Sequence, residues 1–486
     1  MRTLAASLLL ALTLVSGCMS APPQHDPYAT EYPLYDQIER AIGSPIEVTH
    51  DHAQASLHES HYNLDLVARV KGEAGRVPQP GEAYLETAVK DGYAYLCRTG
   101  PEEGLVIFDV HDIEHPKYLS TIRLDAGFEA DIEVSDDGHW AFWETQRLPG
   151  EGVPDPTNPT SIPGITPYGI HVIDISDKAA PQWVSFTPIP PNGPHSITYA
   201  NITGRHVVFA STYAWSYVGG PAGQPRLAPP MLQREVILEL DTSKPVPVLT
   251  QVAEYSDPAA AEASPVMPDG GRFPHDVSVA VHPITQKTYA YVAYWNLGID
   301  ILDVSDPAKP VKVGQATDFG PASYRNVHMA RQGDAVIAGK VILVAEPEIG
   351  GEPDSGYMTF FDATDPVRPT YLSSWRIPGN ITSDGGNLGP HYFDFKGGRV
   401  AMASYHAGYW VIDVHDAPNL LRPRTVAFAQ SNATGTGGTL DLFGGAPNAF
   451  DAWWADATHI LVGDVHGGLE VFRYTGPAPR LDIPAA

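Results

Sequence analysis

The sequence predicts an all-β protein: a seven-bladed β-propeller closed by an N-terminal strand in the last blade. Three observations predict it. A unit of strand, acidic turn, proline and second strand recurs six times. A further hairpin precedes each copy. Gly and Pro, 45 and 46 of the 486 residues, fall along the chain as turn punctuation and not as one tract.

The repeated unit occupies residues 104–123, 169–187, 234–253, 298–316, 356–376 and 408–427. Each copy carries an Asp at the end of its first strand: Asp109, Asp174, Asp241, Asp303, Asp362 and Asp413. An Asp there caps a turn through the backbone amides that follow, and prolines such as Pro307 and Pro310 preset φ. With the preceding hairpin, each unit has four strands in roughly 45–65 residues, the period of a propeller blade. Six full units begin near Ala83, Phe128, Gly193, Phe273, Tyr324 and Gly389. A seventh, residues 450–474, has only three strands. Residues 62–71 match the outer strand of the other units and supply the missing fourth, which hides the edges an open ring would expose. The expected organisation is a leader at 1–17, a tether at 18–60, the propeller at 61–475 and a tail at 476–486.

The repeats Gly-Leu-Val-Ile-Phe-Asp-Val, Gly-Ile-His-Val-Ile-Asp-Ile-Ser and Gly-Ile-Asp-Ile-Leu-Asp-Val-Ser-Asp-Pro resemble LVIVD repeats, found in bacterial and archaeal extracytoplasmic β-propellers. Residues 293–307 are also distantly similar to the selenium-binding protein/methanethiol oxidase propellers, a group associated with copper. That similarity covers the repeat and no site motif, so it assigns no catalytic residue.

The N-terminus carries an address. Arg2 precedes an apolar run, Leu4 to Val15, too short to span a bilayer. Leu14-Val15-Ser16-Gly17-Cys18 resembles the bacterial lipobox, which implies cleavage before Cys18 and its lipidation. Met19 resembles the outer-membrane rather than the inner-membrane sorting pattern. The expected location is therefore the cell envelope, with a lipid anchor as the membrane partner. The only other cysteine, Cys97, sits in a strand and reads as a buried thiol.

Composition narrows the function. A formal charge of -27 excludes nucleic acid as a partner, because phosphate binding needs a basic footprint. Gly-x-Ser-x-Gly, Walker, dinucleotide-binding, His-Glu-x-x-His and Cys-x-x-Cys motifs are absent from the sequence. The turns within the hairpins are short, whereas the long segments (148–167, 217–234, 256–272, 347–356, 378–389 and 431–448) map to the opposite face, where propellers keep their sites.

Aligning the start of each innermost strand places His195, His275, His328 and His391 at one position in four consecutive blades. Glu86 and Asp451 align there in two others, and Ala130 in the remaining one. Imidazoles converging from separate strands suit Cu, Fe, Mn or Zn, and nearby acids can complete the set. The arrangement is similar, in geometry only, to the four-histidine iron site of carotenoid-cleaving propellers. The other reading makes each histidine a turn-stabilising group bonded to the next blade. On the same rim, His406 and His466 are acid/base candidates and Arg98 an anion-binding candidate. Three functions follow as expectations: a propeller holding a metal and a small ligand, a metal-dependent oxidoreductase, or a platform for envelope proteins or polysaccharide.

Overall fold

The computed structural model describes residues 61–476 apart from 80–81, 101–103, 124–130, 147–167, 191–192, 213–214, 217–225, 228–232, 263–270, 321–325, 349–356, 378–388 and 434–447. The leader, Cys18, Ala130 and most of the long segments fall outside the described residues.

Seven antiparallel sheets form the seven blades; the first six run inner to outer in chain order, and the seventh takes its outer strand from the N-terminal side of the chain. Blade 4 shows the pattern: Pro274–Val281 innermost, then Thr288–Tyr294, Gly298–Asp303 and Val311–Ala316. The hairpin turns are tight because their residues accept positive φ. Asp91 and Gly92 lie at 49° and 78°, and Gly397 and Gly398 at 54° and 75°, the signature of a two-residue type I′ turn. The acidic turns work as their sequence predicts. The carboxylates of Asp109, Asp174, Asp241, Asp303, Asp362 and Asp413 each accept the amide two residues on, at 2.9–3.1 Å.

The glycine that opens the third strand of a blade is there for space. A Cβ on Gly298 would strike the carbonyl oxygen of Ala316, and one on Gly408 that of Ala429. The outer strand can therefore approach closely only where this side chain is missing. Gly468 stands in the same relation to Val70, which identifies the N-terminal strand as the outer strand of blade 7.

Leu64–Val70 pairs with Gly468–Tyr474 and closes the ring. The clasp is wider than the sequence suggests. His61–Tyr62 also pairs with Arg424–Ala429, the outer strand of blade 6, so one segment bonds to two blades. The core lies between blades. One apolar cluster joins Phe142, Ile170 and Val172 of blade 2 to Ile197, Val208 and Val236 of blade 3. Cys97 is wholly buried, as expected.

Leu64 is fully buried in the cluster shared by blades 6 and 7. Leu64→Ala should cost about 2–5 kcal/mol, read by chemical denaturation. A loss below about 1 kcal/mol would mean that the clasp does not hold the ring.

Candidate functional site at the channel mouth

The ring turns a repeated sequence position into a convergent set. His195, His275, His328 and His391 form a continuous arc at one end of the channel. Their ring centroids are 4.5, 4.6 and 4.4 Å apart from each to the next. His275, His328 and His391 are buried, at 3%, 1% and 6% exposure, while His195 is partly exposed.

Irregularity at the start of the inner strands creates the site. The pairing register shifts between Pro274 and Asp276, between Val327 and Met329, and between Tyr84 and Thr87. A bulge lets two consecutive residues turn toward the channel where a regular strand would turn one away. Hence His275 contacts its neighbouring histidines while Asp276 accepts Ser196 Oγ of blade 3 at 2.7 Å. Tyr392, directly after His391, is held at φ 51°. A bulky residue in the left-handed region costs about 1–2 kcal/mol, and such strain collects at functional sites.

Three of the four imidazoles have Nδ1 tied to an oxygen. His195 Nδ1 meets Gln146 Oε1 at 2.8 Å, His328 Nδ1 meets Glu346 Oε1 at 2.7 Å, and His391 Nδ1 donates to the carbonyl of Phe450 at 2.8 Å. A backbone carbonyl only accepts, so Nδ1 of His391 carries the hydrogen and its neutral ring keeps the Nε2 lone pair. This is the outer-shell pattern of metal-binding histidines. His275 Nε2 faces Glu348 Oε2 at 3.4 Å, and Glu348 Oε1 accepts the Tyr405 hydroxyl at 2.9 Å. Among the described residues, His275, His328 and Glu348 form one group whose donor atoms all lie within 4.8 Å of one another. His195 and His391 flank it.

Burial sets the charge. It pushes His195, His275 and His391 well below the usual histidine range, and the neighbouring histidines add to the effect. Burial also opposes the charged form of His328, but the Glu346 carboxylate outweighs it and raises His328 to about 9. Glu346 itself is raised to about 7, by burial against the pull of His328. One protonated imidazole therefore sits among three neutral ones.

Glu86 and Asp451 do not join the arc. The bulge puts them in a second layer, one residue farther along the inner strands, level with Asp276. Asp451 is a latch between the first and last blades: its carboxylate accepts the amides of Thr87 and Gly463 and the indole N–H of Trp453. Glu86 and Asp131 lie against each other, and both are raised chiefly by burial, Asp131 to about 6 and Glu86 well above its ordinary value. The Tyr392 hydroxyl meets Ser196 in the same layer. The remaining candidates are all buried but lie outside the close donor group. His466 follows Asp464, whose carboxylate accepts its amide at 3.0 Å. His406 occupies the tight turn closed by Ala407 N and Ser404 O at 2.7 Å. Arg98 lies beside Gly72, under the chain leaving the closing strand.

Sequence reasoning missed Glu348 and Gln146. Glu348 has no counterpart in the repeat, although it opens the 347–356 insert on the correct rim.

Residues 286–318, within blade 4, match the LVIVD repeat family. No curated protein matches the chain. Many solved structures resemble it, three of them as follows. A functionally unknown protein from Desulfotomaculum acetoxidans DSM 771 is 13% identical, over 71% of this chain and 85% of that one, with a TM-score of 0.43. The Cps50 (Swd1) β-propeller domain of Myceliophteria thermophila is 10% identical, over 83% and 99%, with a TM-score of 0.47. The WD40 β-propeller domain of Doa1 is 9% identical, over 84% and 96%, also at 0.47. These likenesses carry no information on chemistry.

The folded-state pKa values of His328 and Glu346 are both raised, so the folded protein holds extra protons. Their stabilising contribution is complete below the unfolded values. It declines as pH rises through about 7 for Glu346 and about 9 for His328. His195, His275 and His391, held low, add stability as pH rises to the ordinary histidine range, so denaturation of chelator-treated protein should show stability falling above about pH 7, up to about pH 10. His328→Gln should flatten the upper part, and an unchanged slope in the variant would remove the buried ion pair as its source.

Proposed function

We propose that the protein binds one divalent transition-metal ion at the mouth of the propeller channel, held by His275, His328 and Glu348 and flanked by His195 and His391. The observation that carries this reading is the close donor group of His275, His328 and Glu348, whose ligand atoms all lie within 4.8 Å of one another; a metal there would displace the proton that His328 otherwise holds. The bonds of His391 to Phe450 and of His195 to Gln146 suit a turn-stabilising role as well, but such a role would not need the converging Glu348 carboxylate. Zn, Cu, Fe and Mn all accept this donor chemistry. Three protein donors leave coordination positions for a small ligand, the arrangement of a reactive rather than a closed structural site. The acidic balance of the chain supports the reading, since it draws cations toward the mouth.

Protein purified without an affinity tag should contain about one metal ion per chain. His275→Ala and Glu348→Gln should each lower that content at least about fivefold, with the fold retained by circular dichroism. Less than about 0.2 ion per chain in the unaltered protein, with both variants indistinguishable from it, would sink the proposal.

The cellular setting we propose is the bacterial envelope, with lipid on Cys18 as the anchor. The lipobox-like run 14–18 supports it. Cys18→Ala should move the protein from the membrane to the soluble fraction of the envelope. Retention on the membrane would exclude the lipid as the anchor.

A further inference from the structure

The channel contains a second feature, on the far side of the buried carboxylate layer. A cavity of about 460 Å³ is lined by the inner strands of all seven blades, from Glu86 to Lys90 in blade 1 to Trp453 in blade 7. In blades 3 to 6 the wall reaches no nearer the arc than Thr198, Ser278, Arg331 and Asp394, each three residues beyond its histidine. At about 3.3 Å per residue, that is roughly 10 Å farther along the strand.

The polar groups of this cavity are unevenly satisfied. Arg331 lays its guanidinium over the Trp453 ring, 4.6 Å from the centroid. Its Nη1 reaches Asp394 Oδ1 at 3.3 Å, a long contact. Its Nε is buried with no hydrogen-bond partner among the described residues. Asp394 is shared: its other oxygen takes the amide of Trp454 at 3.1 Å and Lys396 Nζ at 3.2 Å. Its charge therefore only partly offsets Arg331. Lys90 and Lys396 stand at the hairpin-turn end of the wall, and Lys90 makes only a loose 3.7 Å pair with Asp91. The remaining acids, Glu86 and Glu133, are held well above the usual carboxylate range, first by burial and then by Asp131. Both carboxyl groups line the cavity. Lys90, Arg331 and Lys396 thus share the wall with Asp334 and Asp394, and burial pushes Asp334 up from the usual carboxylate range, in a chain of charge -27.

We infer that this cavity is a binding site for a small organic carboxylate, its acid group on the Trp453-backed guanidinium of Arg331 and its other polar groups on Glu133 and Glu86. The chemistry selects the class. A planar guanidinium with unused donors recognises a carboxylate in two-point fashion. An aromatic wall excludes water from the pair and holds the guanidinium in plane. The cavity volume suits a single metabolite-sized molecule and is too small for a polymer segment to thread.

Isothermal calorimetry at low ionic strength tests it on chelator-treated protein, so that the metal site cannot hold the probe. Succinate, putrescine (a dication of the same chain length) and inorganic phosphate are the probes. Succinate should bind in the millimolar range or tighter and outcompete both. Arg331→Gln should weaken succinate at least about tenfold, whereas His275→Ala should leave it unchanged. Arg331→Lys keeps the charge but loses the fork and the flat face, so it should also bind about tenfold more weakly, and it serves if Arg331→Gln does not fold. Three results overturn the inference: no heat with succinate, malate or citrate up to about 10 mM, putrescine or phosphate binding as well as succinate, or succinate binding indifferent to both Arg331 variants. Succinate binding that disappears in His275→Ala would place it at the other mouth and overturn it as well.

Discussion

The molecule depends on closure of its ring. A propeller blade has no partner of its own; its two faces are buried only against the neighbouring blades. Until Leu64–Val70 joins Gly468–Tyr474, blade 7 has an open edge. The closing strand is held by more than its ladder. Arg69 reaches Glu470 at 2.6 Å and Ser431 at 3.1 Å, and His61–Tyr62 continues onto blade 6. On the inner side Asp451 performs the complementary task, taking amides from blades 1 and 7 with one carboxylate. Closure at both radii fixes the separation of the inner strands. That separation sets four imidazoles 4.4–4.6 Å apart.

Holding the arc together in the dry state is an electrostatic problem. Four protonated imidazoles at that spacing would repel one another strongly. Burial removes three of the charges, and Glu346 stabilises the one that remains. Aromatic rings supply the desolvation: Trp295 stacks on His275 at 4.7 Å, and Phe450 and Tyr405 pack on His391 at 4.0 and 4.9 Å. The acids beneath the arc obey the same logic. Glu86, Asp131 and Asp451 cannot all ionise in one buried layer, and their pKa values rise accordingly.

The blades could be read in the sequence because each repeats two local necessities. One is an Asp that caps its own turn; the other is a glycine where the outer strand presses in. Both act within about 20 residues and leave a periodic mark. The arc was also legible, since Pro-His and Val-His recur at one point of the period. What escaped is what the repeat does not encode. Glu86 and Asp451 align with the histidines by sequence, but the bulges give each blade two inward positions, and a one-letter alignment cannot tell them apart. Glu348 lies in the 347–356 insert, outside the repeated unit. Asp451 shows how this misleads: an acid at the channel reads as a ligand, whereas three N–H groups already occupy it.

Between the arc and the cavity stands a plug built from the second inward position of each blade: Glu86, Asp131, Ser196, Asp276, Met329, Tyr392 and Asp451, every one buried. Its members bond across blades, Ser196 to Asp276 and Asp131 to the amide of Ile197 at 2.5 Å. Removing Asp131, Asp276 or Asp451 would leave a buried donor unsatisfied, which makes the layer a poor gate and a good wall. The two ends can then differ in sign. In the proposed reading the arc, backed by Glu346 and Glu348, takes a cation, and the cavity, centred on Arg331, takes an anion. A single open channel would let those fields cancel. A dry polar wall keeps them apart, and that separation is what the double inward turn of the inner strands provides.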